Sequence, residues 1–184
     1  MGATTVAATM ILAARAGIEV FATGGIGGVH QGAEESFDVS ADLMELAETP
    51  VTVVSAGAKA ILALEKTLEV LETQGVPVIV YAQDALPAFW SRDSGLTAPL
   101  RLDTPAEIAR AHRVRAGLGL PGGQLIANPI PEKDELTREM LAPIINAAQA
   151  RADAQGIRGK AVTPFLLQTI FKRPQEKASS PISH

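Results

Sequence analysis

VTVVSAGAKAILALEKTLEVLETQGVPVIVY, residues 51 to 81, sets the fold class of this 184-residue chain. Residues 51 to 56 are a β-branched run, and such side chains suit a pleated, half-buried surface better than a helix. The next block, ILALEKTLEVLETQG, predicts a helix over 61 to 75, with Leu62, Leu68 and Leu71 on one apolar side and Gly75 as its stop. VPVIVY, residues 76 to 81, reads as a further strand. Strand, helix and strand in this order make a βαβ unit, which favours parallel pairing with helices laid over the sheet.

The same alternation extends in both directions. TTVAATMILAARA, residues 4 to 16, predicts a helix stopped by Gly17, and IEVFAT predicts a buried strand over 18 to 22. Ser40 is placed to cap a helix over 41 to 48, with Asp42 and Glu45 near its positive end. Thr104 and Pro105 open a helix over 104 to 117, and QLIAN after the LPGG turn is a fourth strand. Residues 136 to 155 read as a long helix that Pro143 should bend or break, and a shorter helix follows residues 163 to 165. KRPQEKASSPISH, residues 172 to 184, loses apolar content and gathers Pro and Ser, so a disordered tail is expected after a domain over 1 to 171.

Composition removes several function classes. The formal charge is −4 and no Lys/Arg stripe with interleaved aromatics appears, which argues against bulk nucleic acid as a partner. Cysteine is absent, so a disulfide scaffold, a thiolate zinc site and a cysteine nucleophile are all ruled out. The most apolar stretch, residues 51 to 64, is too short to span a bilayer and carries Lys59 inside it. The N-terminus has no basic region ahead of its apolar part and reads poorly as a signal peptide. Gly2 after Met1 carries little weight as a lipidation site, because Thr5 is not where that pattern prefers its hydroxyl.

The chemistry-bearing stretch is TGGIGGVHQGAEESFDVSADL, residues 23 to 43. A phosphate loop of the G-x-x-x-x-G-K-[ST] type needs a lysine that is missing, and G-x-G-x-x-G fails because the third glycine position is His30. A strand running into glycines still presents backbone N–H groups to an anion, with Thr23 adding a hydroxyl, or else simply turns a corner. Asp38 precedes the Ser40 cap and is free to hold a hard divalent ion with waters, or to serve in ordinary capping. Lys59 sits among small apolar residues in SAGAKAIL, where an amine held out of water is a nucleophile and a snorkelling side chain is the plainer alternative. His30, His112 and His184 show no metal-ligand spacing.

GATTVAATMILAARAGIEVFATGGIGGVH, DVSADLMELAETPVTVVSAGAKAIL, LETQGVPVI, RDSG, LGLPGG, ANPIP and QGIRGKAVTPFLL together resemble, in order from residue 2 to about residue 170, the pseudouridine-5′-phosphate glycosidase family. The resemblance implies a three-layer α/β/α fold with a mainly parallel or mixed central sheet, a homotrimer, a cytoplasmic location and manganese or another divalent metal ion. It implies reversible cleavage of the C–C glycosidic bond of pseudouridine 5′-phosphate to uracil and ribose 5-phosphate. By position, Lys59 matches the lysine that forms a Schiff base with the opened sugar, and Asp38 matches the metal ligand. Val6, Ser40, Ala41 and Asp42 match substrate contacts, with Asp42 also a candidate for proton handling. Thr23 and His30 belong to the same block, near the phosphate or the uracil.

The family's early glutamate acid and phosphate-contacting lysine have no counterpart here, and FKRPQEKASSPISH stands where a late asparagine-rich helical motif is expected. An incomplete domain is therefore expected. Two other outcomes follow from it: an inactive homologue that keeps sugar-phosphate binding or oligomer contacts, or a different imine-forming sugar-phosphate lyase.

Overall fold

The computed structural model describes residues 4–157, 162 and 164–169. Gly2, the boundary at 171 and the stretch 172–184 lie outside the described residues. The chain divides into two compact units, Met1–Thr137 and Arg138–His184.

The first unit is built on five parallel strands: β1 (Val20–Ala22), β2 (Thr52–Ser55), β3 (Val78–Tyr81), β4 (Leu100–Leu102) and β5 (Gln124–Ala127). Their order in the sheet is β1-β2-β5-β3-β4. Helices flank the sheet as α1 (Val6–Arg15), α2 (Ala33–Ser36), α3 (Ala41–Glu48), α4 (Leu64–Thr73) and α5 (Pro105–Gly117). The crossovers through α3 and α4 step along the sheet in one direction, whereas α5 steps back from β4 to β5. Right-handed crossovers therefore lay α3 and α4 over one face and α5 over the other. α1 joins α3, and the result is the expected three-layer α/β/α architecture. Met10, Leu43, Leu46, Val53 and Val80 are fully buried within it.

Several expectations meet corrections with physical causes. β1 is an edge strand, so Val20 and Ala22 are exposed, not buried as the apolar run suggested. α4 begins at Leu64, not 61, because the preceding turn gives its backbone to other partners: Ala63 N–H donates to Val29 O and Leu62 N–H to Lys59 O. Leu62 and Leu71 are buried as expected, but Thr67 takes the third inward position, donating to Ala63 O and accepting from Val29 N–H. β4 was not anticipated, since LRL offers little apolar signal and pairs only at the sheet edge. Thr104 does cap α5, closing a reciprocal box with Glu107 around Pro105.

In the second unit, α6 (Arg138–Ala154) runs through Pro143 as one element, so no break occurs there. Residue 162 and residues 164–169 are helical, so the short helix expected to follow residues 163 to 165 is present but begins earlier. Leu141, Ala148, Ala152 and Leu166 are buried.

Candidate active site

Ligands of open parallel sheets gather beyond the carboxyl ends of the strands. There, past β1, the chain continues as the glycine turn 24–28 and pairs with the loop that follows β2. Ala56 N–H donates to Gly24 O at 3.1 Å, Ile26 N–H to Gly57 O at 3.1 Å, and Lys59 N–H to Ile26 O at 3.3 Å. Thr23 N–H donates to Val54 O at 2.9 Å. The backbones of Thr23 and Lys59 are thus fixed in one continuous network.

The turn then doubles back on the segment before α3. His30 N–H donates to Asp38 O and Ser40 N–H to Gly28 O, both at 3.0 Å, around an antiparallel bridge between Val29 and Val39. His30 Nδ1 lies 3.9 Å from Asp38 Oδ2, and the Asp38 side chain is partly exposed. α2 closes the loop between them, leaving Phe37 85% exposed in the left-handed region at φ 52°. Ser40 caps α3 as expected, accepting from Asp42 N–H at 3.2 Å.

Asp42 is the joint of the arrangement. Buried to 6% exposure, it accepts Ala7 N–H on Oδ1 at 2.9 Å and Gly27 N–H on Oδ2 at 2.8 Å. Its carboxylate therefore ties the first turn of α1, where Val6 is half-buried, to the glycine turn. Close approach explains one of the glycines: a Cβ at Gly27 would lie 2.2 Å from Ser40 Oγ and 3.0 Å from Asp42 Oδ2. Ala41, first residue of α3, is exposed.

Sequence reasoning missed Phe89. Its ring underlies the turn so closely that a Cβ at Gly25 would stand 2.4 Å from Cδ2. Its N–H donates to Ala56 O at 2.8 Å, and its backbone is left-handed at φ 61°. A bulky residue held there costs about 1–3 kcal/mol and persists only where its surroundings over-determine it. The available signal was adjacency: Phe89 and Trp90 stand together in a chain with 4% aromatics, and their rings meet edge to face at 4.9 Å.

Among the described residues no group of three or more His, Cys, Asp or Glu side chains could hold a metal. A single part-exposed carboxylate at Asp38 fits a hard divalent ion that keeps most of its waters, and does not fit a closed protein cage. No described helix is long and apolar enough to cross a membrane. A cavity of about 450 Å³ lies elsewhere, between α5 and the sheet, with Val20, Val54, Ile108, His112 and Ile126 in its walls. It includes none of the glycines, Asp38 or Lys59.

Comparison with known proteins covers nearly the whole chain. Residues 1–181 match the family model described as indigoidine synthase A like protein. The chain is 72% identical over 172 residues to a pseudouridine-5′-phosphate glycosidase of Jannaschia sp. (strain CCS1), covering 94% of this chain and 57% of that protein. It is 68% identical over 177 residues to one of Paracoccus denitrificans (strain Pd 1222), covering 96% and 58%. Among solved structures, the prealnumycin C-glycosynthase AlnA in complex with ribulose 5-phosphate superposes with a TM-score of 0.87 at 43% identity, covering 93% of this chain and 56% of that one. An indigoidine synthase A (IdgA)-like protein from Thermotoga maritima superposes at 0.82 with 34% identity, covering 94% and 56%. The chain spans a little more than half the length of these relatives. With the fold and these matches in agreement, the chain belongs to the indigoidine synthase A-like family, alongside the pseudouridine-5′-phosphate glycosidases that its sequence resembles.

Proposed function

We propose that this chain carries the sugar-capturing part of a pseudouridine-5′-phosphate glycosidase, which reversibly cleaves the C–C glycosidic bond to give uracil and ribose 5-phosphate. The observation that supports it most is the shared backbone network in which Thr23, Lys59, Asp38 and Ser40 all issue from one end of β1 and β2. High identity to proteins of that name supports the same reading.

The bond explains the lysine. A C–C glycoside has no leaving oxygen for an acid to protonate, unlike an ordinary sugar link. Lys59 Nζ forms a bond to C1′ as the C1′–O4′ bond breaks, and O4′ leaves with the electron pair and takes a proton. The nitrogen lone pair then forms C1′=N while the C1′–C5 bond breaks toward uracil, whose C5 takes a proton. Water adds to the imine and releases ribose 5-phosphate and the free amine, so substrate plus water balances the two products. Covalent capture divides one difficult step into two.

Ile26 and Gly27 N–H already donate to Gly57 O and Asp42 Oδ2. The amides of Gly24, Gly25 and Gly28, with the Thr23 hydroxyl, are therefore assigned to the sugar phosphate, and Val6, Ser40 and Ala41 to further substrate contacts. His30 is placed near the phosphate or the uracil. Asp38 would hold a manganese or other divalent ion, which when bound supplies positive charge to the substrate's oxygens. Asp42, assigned from sequence to substrate contact or proton handling, already accepts a backbone N–H on each oxygen, which favours a holding role. The same reading implies a cytoplasmic homotrimer.

A second reading is a C-glycoside lyase or synthase with a different aglycone, favoured by the likeness to a C-glycosynthase solved with a pentose phosphate. Intact-mass analysis after ribose 5-phosphate, manganese and borohydride tests the imine itself. A single ribose-phosphate adduct mapped to Lys59 and absent from Lys59→Ala is the expected result. Folded protein without an adduct would refute the Schiff base. Uracil exchange into the product then separates the two aglycones.

A further inference from the structure

We infer that Phe89 is a positioning residue for the Lys59 site, acting through the glycine turn and not on the substrate. The inference rests on the Lys59 reading for its catalytic meaning, while the geometry beneath it is independent of that reading.

Phe89 touches both strands of the network at once. Its N–H is bonded to Ala56 O at 2.8 Å, on the loop that leads to Lys59. Its ring fills the space where Gly24 and Gly25 lack a Cβ, with Cε2 and Cδ2 at 3.4 and 2.4 Å from the positions those atoms would take. From Gly25 the chain runs directly to Ile26, whose carbonyl accepts Lys59 N–H at 3.3 Å. A shift of the ring therefore moves the turn, and a shift of the turn moves the backbone from which Lys59 projects.

The left-handed backbone at φ 61° is what aims the ring under the turn. Such a conformation in a bulky residue calls for surroundings that enforce it. They are present in the same loop: Ala88 N–H donates to Ser91 O, and Arg92 is anchored by its N–H on Glu135 Oε1 and its guanidinium on Ile130 O. The loop after β3 thus holds Phe89 from one side, as Asp42 holds Gly27 from the other.

Amide hydrogen exchange with borohydride trapping in parallel tests this. Phe89→Ala should speed exchange by about tenfold or more in residues 23–30 and 55–62 while β3 and β5 keep their protection, as expected of a local opening and not a global one. Trapping of ribose 5-phosphate should slow at saturating sugar. Phe89→Leu, which keeps carbons out to Cδ where the contact with Gly25 lies, should restore both. Gly25→Ala approaches the same contact from the opposite side and should loosen the same two segments with Phe89 intact. Unchanged exchange in those segments would overturn the inference, and so would an equal rise across all strands, which would mark Phe89 as general packing. Should the parent chain form no adduct at all, the Lys59 reading fails, and exchange alone decides for or against Phe89.

Discussion

At the carboxyl ends of β1 and β2 the backbone is paired almost residue by residue and a buried carboxylate is satisfied at both oxygens. Beneath α5, on the other face of the same sheet, the finish is looser. α5 has no buried residue, about 450 Å³ lies open between it and the strands, and the amide of Gln124 has no hydrogen-bond partner among the described residues although the residue is 1% exposed. The difference separates two kinds of order. The first region fixes where groups point, which is what a reacting site requires. The second mixes apolar side chains with Glu19, His112, Arg113 and Asn128 in a looser layer, and substitutions there should be read first in stability.

Asp42 gives the largest effect and the sharpest test of that contrast. Asp42→Ala leaves the N–H groups of Ala7 and Gly27 without acceptors. Hydrogen bonds to a charged group contribute about 1.5–3 kcal/mol each, so a loss of about 3 kcal/mol or more is expected in denaturant melts. Asp42→Asn should lose less, because its carbonyl still serves one donor while its NH₂ faces the other. If both variants were as stable as the parent but unable to trap ribose 5-phosphate, the carboxylate would be a substrate group and not a latch.

The α5 face should respond with the opposite sign. Gln124 lines a cavity of about 30 Å³ together with Thr52, His112 and Gly122, and His112 Nδ1 is already engaged by Thr52 Oγ1 at 2.9 Å. Replacing a buried amide that lacks partners by an apolar group of similar shape removes its desolvation cost, about 1–3 kcal/mol. Gln124→Met should therefore raise the melting temperature and leave Lys59 trapping unchanged. A lower melting temperature would show that the amide is bonded in solution and that the two faces are more alike than the geometry indicates.

What the sequence made legible follows the reach of each signal. The βαβ alternation around residues 51–81, the Ser40 cap and the Thr104 cap with Pro105 behind it are local patterns, and each reappears. That Asp38 and Lys59 belong with the glycines as one candidate group was suggested by a strand running into glycines and by family resemblance, and their backbones do share one network. Features set by distant contacts were not. The exposure of Val20 depends on β1 ending up at an edge. The late start of α4 depends on Val29 accepting the Ala63 N–H. Phe89 acquires its place from a positive φ and a contact with Gly25, neither of which a linear pattern of apolar residues carries. Asp42 was placed by its helix position near the positive end of α3, and by family resemblance at a substrate contact or in proton handling. Its bonds to α1 and the turn are set by distant contacts that neither signal carries.

The smallest expected effect concerns the loop that carries Asp38. Lys66 on α4 pairs with Glu34 on α2, and that hydrogen bond holds the Glu34 carboxyl below its ordinary value of 4.5. A carboxyl lowered in the folded state adds stability above its unfolded value, and the contribution disappears as pH falls through the folded one. Both side chains are largely exposed, so water and salt screen the pair and its effect on global stability should be slight. Exchange of residues 31–40 is the better readout, since α2 begins the path to Asp38. Glu34→Gln should quicken that exchange at neutral pH and low salt, and match the parent in acid, where both side chains are neutral. Equal exchange at both pH values would take the pair out of the site. The order of the loop would then rest on the backbone bonds from His30 to Asp38 and from Ser40 to Gly28, the same kind of bond that fixes Lys59.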